Sequence, residues 1–573
     1  MIRQRELFLV AYGNLYANKG ATTAGVDPQD TVDGMSLERI DRIIGQLVTG
    51  TYQWKPVKRV YIPKKGEKHR ALGLPSWNDK MVQEVIRLVL EAYYEPQFSR
   101  YSHGYRPGRG CHTALDEIRR TWAGTKWFIE GDIKGCFDHI DHTLLLDIIK
   151  RNIPDQYFLK LLKDMLQAGY VEDWKYHRTY SGTPQGGVIS PILSNIILNE
   201  LDKFVENELI PHYTRGNSRK DNPEYSRLYR QMTQARKAQN IEEYKRLLKR
   251  LRQLPSREPA DPNYRRLKYI RYADDYLLGF IGPKSEAIEI KEKIRRFLQT
   301  LKLTISDEKS LISHAATGKV RFLGYDIYVA WPNSRITTDN RSKKRATNGQ
   351  IILNVPREVE FEWKNRYSQR GKPIHRAELL HNSDYEIVMT YHLEFQGLVN
   401  YYLMAQNVSD RLYPVKYAYL QSLVKTLAHK HQKPITWVYQ KYYRKSEDNI
   451  KAIRVTVPRE DPKQPLIATF GAKPIRRVHQ VVTKDEKSRP LGVSGNEIVR
   501  RLLANQCELC SSTENIEVHH LRKLANIKKL YQGRPNPPNW VIFMMKRHRK
   551  TIVVCRNCHN AIHSGTYDGP KLT

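Results

Sequence analysis

Hydrophobic and polar residues follow two different periods along this chain. Residues 79–94 place apolar side chains on one side of a helical pattern, which predicts an amphipathic helix. Residues 127–129 and 269–272 are short apolar runs that lead to acidic residues, and they predict strands. Between these runs, a turn rich in glycine and proline precedes residues 192–201, whose apolar pattern predicts a helix. Helices and strands are therefore mixed, which indicates an α+β fold.

The same pattern divides the chain into parts. Residues 241–254 predict a helix that ends before two prolines, and the helical period returns over residues 361–441. Residues 450–495 are basic with scattered prolines, and they predict a small domain or a linker. The last 75 residues hold four of the six cysteines and predict a separate unit. A chain of 573 residues contains several domains, because a single core stops growing at roughly 250–300 residues.

The charge of the chain indicates its partners. It carries 96 Lys and Arg against 60 Asp and Glu, a formal net charge of +36, together with 35 tyrosines. This excess favours polyanions such as nucleic acid, and tyrosine rings add stacking capacity for single strands. No apolar run approaches the roughly 20 residues of a membrane span, and the mean hydropathy is −0.63. Six cysteines are too few for a disulfide scaffold. We therefore expect a soluble intracellular protein that binds nucleic acid and no membrane.

Two segments concentrate the positive charge. Residues 213–268 hold 16 Lys and Arg against 6 Asp and Glu, a net charge of +10, and residues 331–350 are similarly basic. A solvated helix face would explain either segment alone. The excess over the whole chain favours exposed basic surfaces that contact RNA phosphates.

Acidic residues follow both predicted strands. Asp132 lies beyond the first strand, whereas Asp274 and Asp275 lie at or beside the turn of a predicted hairpin. Two-metal phosphoryl transfer needs carboxylates from separate chain segments around two Mg²⁺ ions. An Asp-Asp pair is also a common turn former, and a single aspartate can cap a strand end. Because 142 residues separate Asp132 from Asp274, only tertiary structure can bring them together.

Seven further motifs accompany the two acidic sites in a fixed order. They lie at residues 18–27, 62–75, 103–108, 181–191, 303–310, 321–325 and 395–402. This ordered set closely resembles the reverse transcriptases that group II introns encode, and the likeness covers nearly the whole chain. The resemblance implies a right-hand polymerase with fingers, a palm and a helical thumb.

The resemblance also implies the ligands of the polymerase metals. Asp132 and Asp274 would hold Mg²⁺, with Asp275 as a supporting catalytic carboxylate. The backbone carbonyl of Ile133 would be an additional ligand.

Four other residues take nucleotide-binding roles from the resemblance. Phe137 would pack under the incoming sugar and exclude a 2′-hydroxyl, so that the enzyme prefers deoxynucleotides (dNTPs). Gln185 would line the nucleotide pocket. Lys64 and Arg70 would bind the triphosphate, since a guanidinium suits phosphate oxygens, although a solvated hairpin also explains them.

Four cysteines form two C-x₂-C motifs near the C-terminus. Cys507 and Cys510 are separated by 44 residues from Cys555 and Cys558. Four thiolates in this arrangement suit a closed tetrahedral Zn²⁺ site, which would stabilise a unit too small for its own core. A redox pair would explain one motif alone, whereas two motifs favour zinc.

Histidines lie between and after these cysteine motifs. His559 and His563 are four residues apart, so on a helix they can share a metal. With the His519-His520 doublet, they resemble the HNH nuclease family, which has a ββα-metal fold. The resemblance implies that His520 is the general base and that the other three bind a divalent ion, Mg²⁺ or Mn²⁺. These histidines could instead pack or complete the zinc fold. The residue that orients His520 is not identified, because residues 549–551 lack the asparagine of many HNH members.

The two resemblances together imply a division into four domains. These are the fingers and palm over residues 1–330, a maturase or thumb over 331–450, a DNA-binding region over 451–500 and an HNH endonuclease over 501–573. Such a protein binds its intron RNA, assists splicing, cleaves target DNA and copies the RNA from the cleaved primer. We expect it in the bacterial cytoplasm near the nucleoid, with an organelle as the alternative.

Three other functions fit parts of the sequence. A maturase without polymerase activity would not need Asp132, Asp274 and Asp275. A reverse transcriptase of the retron or diversity-generating type would lack the HNH tail and the long thumb. A nuclease whose first half only recognises DNA would fail to extend a primer.

Overall fold

The computed structural model of the protein describes most of the chain. The described residues are 1–18, 20–63, 69–183, 186–258, 261–331, 336–339, 342–345, 349–445, 449–459, 464–479, 496–521, 538–547 and 549–567. Within these ranges, no helix combines the length and the apolar character needed to cross a membrane.

The first 121 residues form two N-terminal helices and part of the fingers. The elements are α1 (Arg5–Leu15), α2 (Leu37–Thr49), β1 (Val57–Pro63), β2 (His69–Leu74), α3 (Trp77–Tyr94) and α4 (Cys111–Thr121). Helix α2 begins where the Ser36 side chain accepts the Arg39 N–H, and it ends at Gly50, whose left-handed conformation favours glycine. The helix predicted over residues 79–94 is present as α3.

The palm follows, together with the rest of the fingers. Its elements are β3 (Trp127–Asp132), α5 (Cys136–His139), α6 (His142–Lys150), α7 (Gln156–Leu166), β4 (Tyr170–Glu172), β5 (Lys175–His177), α8 (Ser190–Phe204), α9 (Ile210–His212), α10 (Pro223–Lys237), α11 (Ile241–Leu251), β6 (Arg266–Tyr272), β7 (Asp275–Ile281), α12 (Lys284–Thr300), β8 (Ile312–His314), β9 (Val320–Phe322) and β10 (Tyr325–Ala330). Antiparallel strands in the order β6-β7-β3-β8 form the palm sheet, and β4-β5 extend the β1-β2 hairpin. Both strands and the hairpin predicted around the aspartates are present.

Helices α10 and α11 form a hairpin in residues 213–268, the basic insertion. The side chains of Asn222 and Asn240 cap the N-termini of the two helices. Their facing sides bury a small separate core of Leu228, Ala235, Leu247 and Leu251. The hairpin therefore has its own apolar contacts and leaves its charged sides exposed.

The thumb is mainly helical. Its elements are β11 (Ile336–Asp339), β12 (Ser342–Arg345), β13 (Gln350–Asn354), α13 (Arg357–Asn365), β14 (Ser368–Gln369), β15 (Lys372–Pro373), α14 (Asp384–Tyr402), α15 (Val408–His431), α16 (Ile435–Tyr442), β16 (Tyr443–Lys445), β17 (Lys451–Val457) and β18 (Leu466–Phe470). Strand β18 packs on α14, where the rings of Phe395 and Phe470 lie 5.7 Å apart. Strands β17 and β18 therefore share the apolar core of the helices that precede them. Residues 480–495, in the predicted linker, lie outside the described residues.

The C-terminal unit contains α17 (Glu497–Leu503), β19 (Ile516–His520), α18 (Asn539–Arg547), β20 (Thr551–Cys555) and α19 (Arg556–Ser564). Strands β19 and β20 pair antiparallel, and α19 packs on both, which gives a ββα arrangement. The apolar side of the unit belongs to the same buried core as α1 and α3. Residues from the two ends of the sequence therefore pack against each other.

Candidate active sites

Three carboxylates meet at one end of the palm sheet. In the register of β3 and β7, Asp132 lies directly opposite Asp275, and Asp274 occupies the turn before β7. A cavity of about 410 Å³ opens beside them, lined in part by Asp132, Asp275 and Lys309. The structure thus brings together the three aspartates that the sequence predicted. Ile133 follows Asp132 directly, and its side chain is buried.

The electrostatics of this group favour a cation. Burial, reinforced by the charges of Asp274 and Asp132, raises the pKa of Asp275 to about 7. Burial and the charge of Asp132 also raise the pKa of Asp274. The Nζ of Lys309 lies 2.9 Å from Oδ2 of Asp132 and offsets part of this negative charge. Neighbouring carboxylates that repel one another form a suitable oxygen-ligand set for Mg²⁺.

Arg271 supports the turn that carries Asp274. Its guanidinium is buried and donates from Nη1 to the carbonyl oxygen of Ala273 at 2.8 Å. It also pairs with both carboxylate oxygens of Asp202 on α8, at 2.8 and 2.6 Å. Ala273 has a φ of +55°, so this fixed hydrogen bond holds a strained residue next to Asp274 and Asp275.

The motif at residues 103–108 packs beneath the same turn. The His103 N–H donates to the Arg271 carbonyl oxygen at 2.9 Å. A Cβ on Gly104 would lie only 2.4 Å from the backbone nitrogen of Ala273, so a side chain there would displace the turn. The glycine therefore permits the close approach of two backbone segments.

Two of the four predicted nucleotide-binding residues lie among the described residues. Phe137 is buried in α5, where its carbonyl oxygen accepts the Thr183 N–H at 2.7 Å. Arg70 is exposed on β2, and its charge opposes the rise in the pKa of Asp274. Lys64 and Gln185 lie outside the described residues, so their roles stay predictions.

The four predicted zinc ligands lie together in the C-terminal unit. The sulfur atoms of Cys507, Cys510, Cys555 and Cys558 all lie within 4.8 Å of one another. Sγ of Cys507 accepts the Cys510 N–H at 3.4 Å, which is a contact that stabilises a thiolate. A donor set of four sulfurs at these separations fits a tetrahedral Zn²⁺ ion.

The structure gathers three histidines of the nuclease motif around a fourth residue. Ligand atoms of His519, His559, His563 and Asp33 all lie within 4.8 Å of one another. The Nε2 atoms of His559 and His563 are 3.2 Å apart. Sequence reasoning missed Asp33, because it precedes His519 by 486 residues and belongs to the segment between α1 and α2.

Glu517 fixes the orientation of His559. Its Oε2 lies 2.8 Å from Nδ1 of His559, so Nε2 faces the other histidines. Metal-binding histidines commonly bond a carboxylate through their second nitrogen in this way. Although burial opposes it, hydrogen bonding to Asp33 and Glu517 raises the pKa of His559 to about 9. In the absence of a metal, this ring is therefore protonated at neutral pH.

His520 lies in a different environment from its neighbours. Its Nε2 is 2.9 Å from the hydroxyl oxygen of Tyr12 on α1, and its backbone N–H donates to Oδ1 of Asp33 at 2.7 Å. Burial lowers the pKa of His520 to about 3, so the ring is neutral at physiological pH. Tyr12 orients His520, and no local sequence signal could have identified a residue 508 positions away.

Three family models match successive parts of the chain. A model described as "Reverse transcriptase (RNA-dependent DNA polymerase)" matches residues 62–327. A "Type II intron maturase" model matches residues 351–464, and an "AI2M/AI1M-like, HNH endonuclease" model matches residues 507–559. The three matches lie in the fingers and palm, in the thumb and in the C-terminal ββα unit.

Curated relatives match almost the whole chain. The group II intron-encoded protein LtrA of Lactococcus lactis subsp. cremoris is 38% identical over 580 residues, which cover 97% of this chain and 94% of LtrA. An uncharacterized 91 kDa protein in the cob intron of Schizosaccharomyces pombe is 32% identical, covering 98% of this chain and 68% of that protein. A putative COX1/OXI3 intron 1 protein of Saccharomyces cerevisiae is 30% identical, covering 100% of this chain and 70% of that protein.

Proposed function

Because this chain belongs to the group II intron-encoded proteins, we propose that it copies its intron RNA into DNA at a target that its nuclease has helped to cut. It is a reverse transcriptase, a splicing maturase and an HNH endonuclease in one polypeptide. The family resemblance, the α+β right-hand fold with an HNH domain and these activities are confirmed.

The register that places Asp132 opposite Asp275, with Asp274 at the adjacent turn, carries the polymerase assignment. Asp132 and Asp274, with the carbonyl of Ile133, would hold Mg²⁺, and Asp275 would support them. Bound Mg²⁺ would activate the primer hydroxyl and neutralise charge on the triphosphate. The protein contributes a rigid turn, held by Arg271, that keeps the carboxylates in place.

The nucleotide is selected beside these carboxylates. Phe137 would pack under the deoxyribose and leave no room for a 2′-hydroxyl. The exposed guanidinium of Arg70, close enough to influence Asp274, suits contact with the triphosphate. Lys64 and Gln185 complete this pocket as predictions from the sequence.

In the C-terminal unit, neutral His520 would accept a proton from the attacking water. His519, His559 and His563 would hold a divalent ion, Mg²⁺ or Mn²⁺, and the bound ion would polarise the scissile phosphate. The four clustered cysteines would hold a structural Zn²⁺. The nuclease would cut the second strand of the target DNA, after the intron RNA has inserted into the first.

The partners follow from this sequence of events. The basic insertion and residues 331–350 would bind intron RNA, while the region at 451–500 would contact target DNA, and dNTPs are the polymerase substrates. The bacterial cytoplasm, beside the nucleoid, suits a protein that needs chromosomal targets, and the bacterial origin of LtrA supports it.

Primer extension on an RNA template tests the polymerase. With Mg²⁺ and dNTPs, the parent protein should extend a DNA primer, and Asp274→Ala should lower the rate by several orders of magnitude. Asp164→Ala, which removes an exposed aspartate on α7, is the matched control and should retain activity. Splicing assistance should survive Asp274→Ala, because it depends on binding surfaces. If both activities fall equally, or neither falls, the assignment is wrong.

A further inference from the structure

Asp33 contributes an acidic side chain to a cluster of histidines that belongs to the other end of the chain. Its Oδ2 lies 2.8 Å from Nε2 of His563, and its Oδ1 lies 3.3 Å from Nε2 of His559. Oδ1 also lies 3.5 Å from Nδ1 of His519. One carboxylate thus faces all three imidazoles.

Backbone pairing holds Asp33 in this position. The Gly34 N–H donates to the carbonyl oxygen of Val518 at 3.1 Å, and the Val518 N–H donates to that of Met35 at 2.9 Å. The segment therefore adds to the free edge of β19, next to His519 and His520. This pairing does not involve the carboxylate of Asp33, so it should persist when that group is changed.

The imidazole of His519 makes no hydrogen bond to any described residue of this cluster. It is buried, and neither of its ring nitrogens has a hydrogen-bond partner among the described residues. A buried imidazole without partners is costly, and a bound metal ion would use one of its nitrogens. This observation points to a ligand at the centre of the cluster independently of Asp33.

Three imidazoles alone are a poor site for Mg²⁺ or Mn²⁺. Nitrogen ligands favour zinc, copper or nickel, whereas Mg²⁺ and Mn²⁺ prefer carboxylate oxygen. We propose that Asp33 is the fourth protein ligand of the nuclease metal, so that the N-terminal segment completes an active site in the C-terminal unit. The inference rests on the proposed function, in which the three histidines hold that ion. With four protein ligands, the ion would still be able to take water and a phosphate oxygen.

The competing explanation is that Asp33 occupies the place of the DNA phosphate and blocks the site. The two explanations predict opposite results for Asp33→Asn. A ligand variant loses metal affinity, whereas removal of a blocking group leaves metal affinity unchanged and strengthens DNA binding. Asparagine suits this test, because its amide oxygen can still accept the His520 N–H and only the charge is removed.

Metal affinity is measured on the full chain with zinc in the cysteine site. Asp132→Asn, Asp274→Asn and Asp275→Asn together remove the polymerase carboxylates. In that background, Mn²⁺ titration, followed by the electron paramagnetic resonance of the free ion, reports the nuclease site. In this background, Asp33→Asn should weaken Mn²⁺ binding at least about tenfold. Asp41→Asn, which removes an exposed carboxylate paired with Arg5 on the same N-terminal region, should not change it.

His563→Ala separates failure of this inference from failure of the proposed function. If His563→Ala binds Mn²⁺ like its background, the histidines hold no ion and the proposed metal site is wrong. If His563→Ala loses Mn²⁺ while Asp33→Asn retains it, only the role of Asp33 is wrong.

Asp33→Cys distinguishes direct ligation from an altered fold. A thiolate at this position should favour Cd²⁺ over Mn²⁺ and add sulfur-to-cadmium charge-transfer absorbance beyond that of the cysteine site. Hydrogen exchange at Val518 should remain slow in both variants, because its amide bonds Met35. Slow exchange together with no added absorbance would overturn the proposal, because the segment would be in place and its thiolate would not bind the ion. Fast exchange in Asp33→Asn would also overturn it, because the loss of Mn²⁺ would then follow from an altered fold.

Discussion

Arg271 and Asp202 form a bidentate ion pair in which neither side chain is exposed to solvent. The pair links β6 of the palm to α8, and the same guanidinium donates to the carbonyl oxygen of Ala273 in the turn that carries Asp274. A buried pair contributes little net stability, but removal of one partner leaves an uncompensated charge. In this protein, the ion pair helps to fix the position of Asp274.

This pair gives the first prediction. Asp202→Asn should lower the free energy of unfolding of the polymerase region by about 3–5 kcal/mol, because Arg271 stays buried and loses its counter-charge. Arg271→Lys keeps the charge but loses the bidentate geometry. It should raise the Mg²⁺ concentration for half-maximal rate and slow primer extension, with a smaller effect on the free energy of unfolding. Denaturant unfolding and the Mg²⁺ concentration for half-maximal rate measure the two effects. Equal Mg²⁺ requirements in parent and Arg271→Lys would contradict the positioning role.

The second prediction concerns sugar selection by Phe137. Phe137→Ala should admit ribonucleotides, because it removes the aromatic ring that we propose excludes the 2′-hydroxyl. Phe137→Tyr keeps the ring and should keep the preference for dNTPs. The measurement is the ratio of kcat/KM for dGTP and GTP on one template. If the ratio is unchanged in Phe137→Ala, this residue only packs in the core.

A third prediction concerns the exposed side of the α10-α11 hairpin. Replacing Lys245, Arg246, Lys249 and Arg250 with Gln should flatten the salt dependence of RNA affinity. The log–log slope should change by roughly 0.7–0.9 for each RNA phosphate that the hairpin no longer neutralises. Short primer extension should be largely unaffected, since the hairpin has its own core.

The matched control replaces four exposed lysines on α6, α7 and α8 with Gln, namely Lys150, Lys160, Lys163 and Lys203. Both variants remove four positive charges. An equal change of slope in the two variants would mean that net charge, and not the hairpin, determines RNA affinity.

The fourth prediction is a pH dependence of stability that originates at His103. Burial, with the charges of Arg109 and Arg106, lowers the pKa of His103 to about 3, against 6.5 for a free histidine. The unfolded chain therefore binds the proton first, so stability is full above pH 6.5 and falls as the pH decreases toward 3. The loss should reach about 2–3 kcal/mol at pH 4.5.

His103→Asn tests this dependence, because an amide can still pair with the Thr113 hydroxyl. Its thermal midpoint should fall less than that of the parent between pH 7.5 and 4.5. His381→Asn, at an exposed position, should behave like the parent. Parallel decreases in all three proteins would assign the acid sensitivity to other groups.

The fifth prediction separates the two functions of the C-terminal unit. His520→Ala should abolish cleavage of the second DNA strand and leave zinc content, folding and cDNA synthesis almost unchanged. Cys555→Ser should release zinc and unfold the unit, so cleavage disappears together with the bound metal. Strand-specific cleavage measured beside zinc content distinguishes the two variants. Cleavage at the parent rate by His520→Ala would mean that the histidine doublet is structural.

Local sequence patterns predicted the elements whose formation depends only on residues close together in the sequence. The strand before Asp132, the hairpin around Asp274 and the C-x₂-C motifs are encoded within a few positions. Arg271 gave a weaker signal, since a charged residue inside an apolar strand indicates a buried partner, but nothing local identifies Asp202. The contacts of Tyr12 and Asp33 with the nuclease unit could not be predicted, because they depend on packing between residues about 500 positions apart.

The pairing of Met35 with Val518, and of Tyr12 with His520, has a consequence for protein synthesis. A ribosome that adds about 5–20 residues per second needs roughly 25–100 s to advance the 508 positions from Tyr12 to His520. During that interval the palm strands up to β8 can emerge and pair, while the edge of β19 does not yet exist. A nascent chain can therefore acquire a folded polymerase well before it acquires a nuclease, and a chain released early carries no assembled site for cutting DNA.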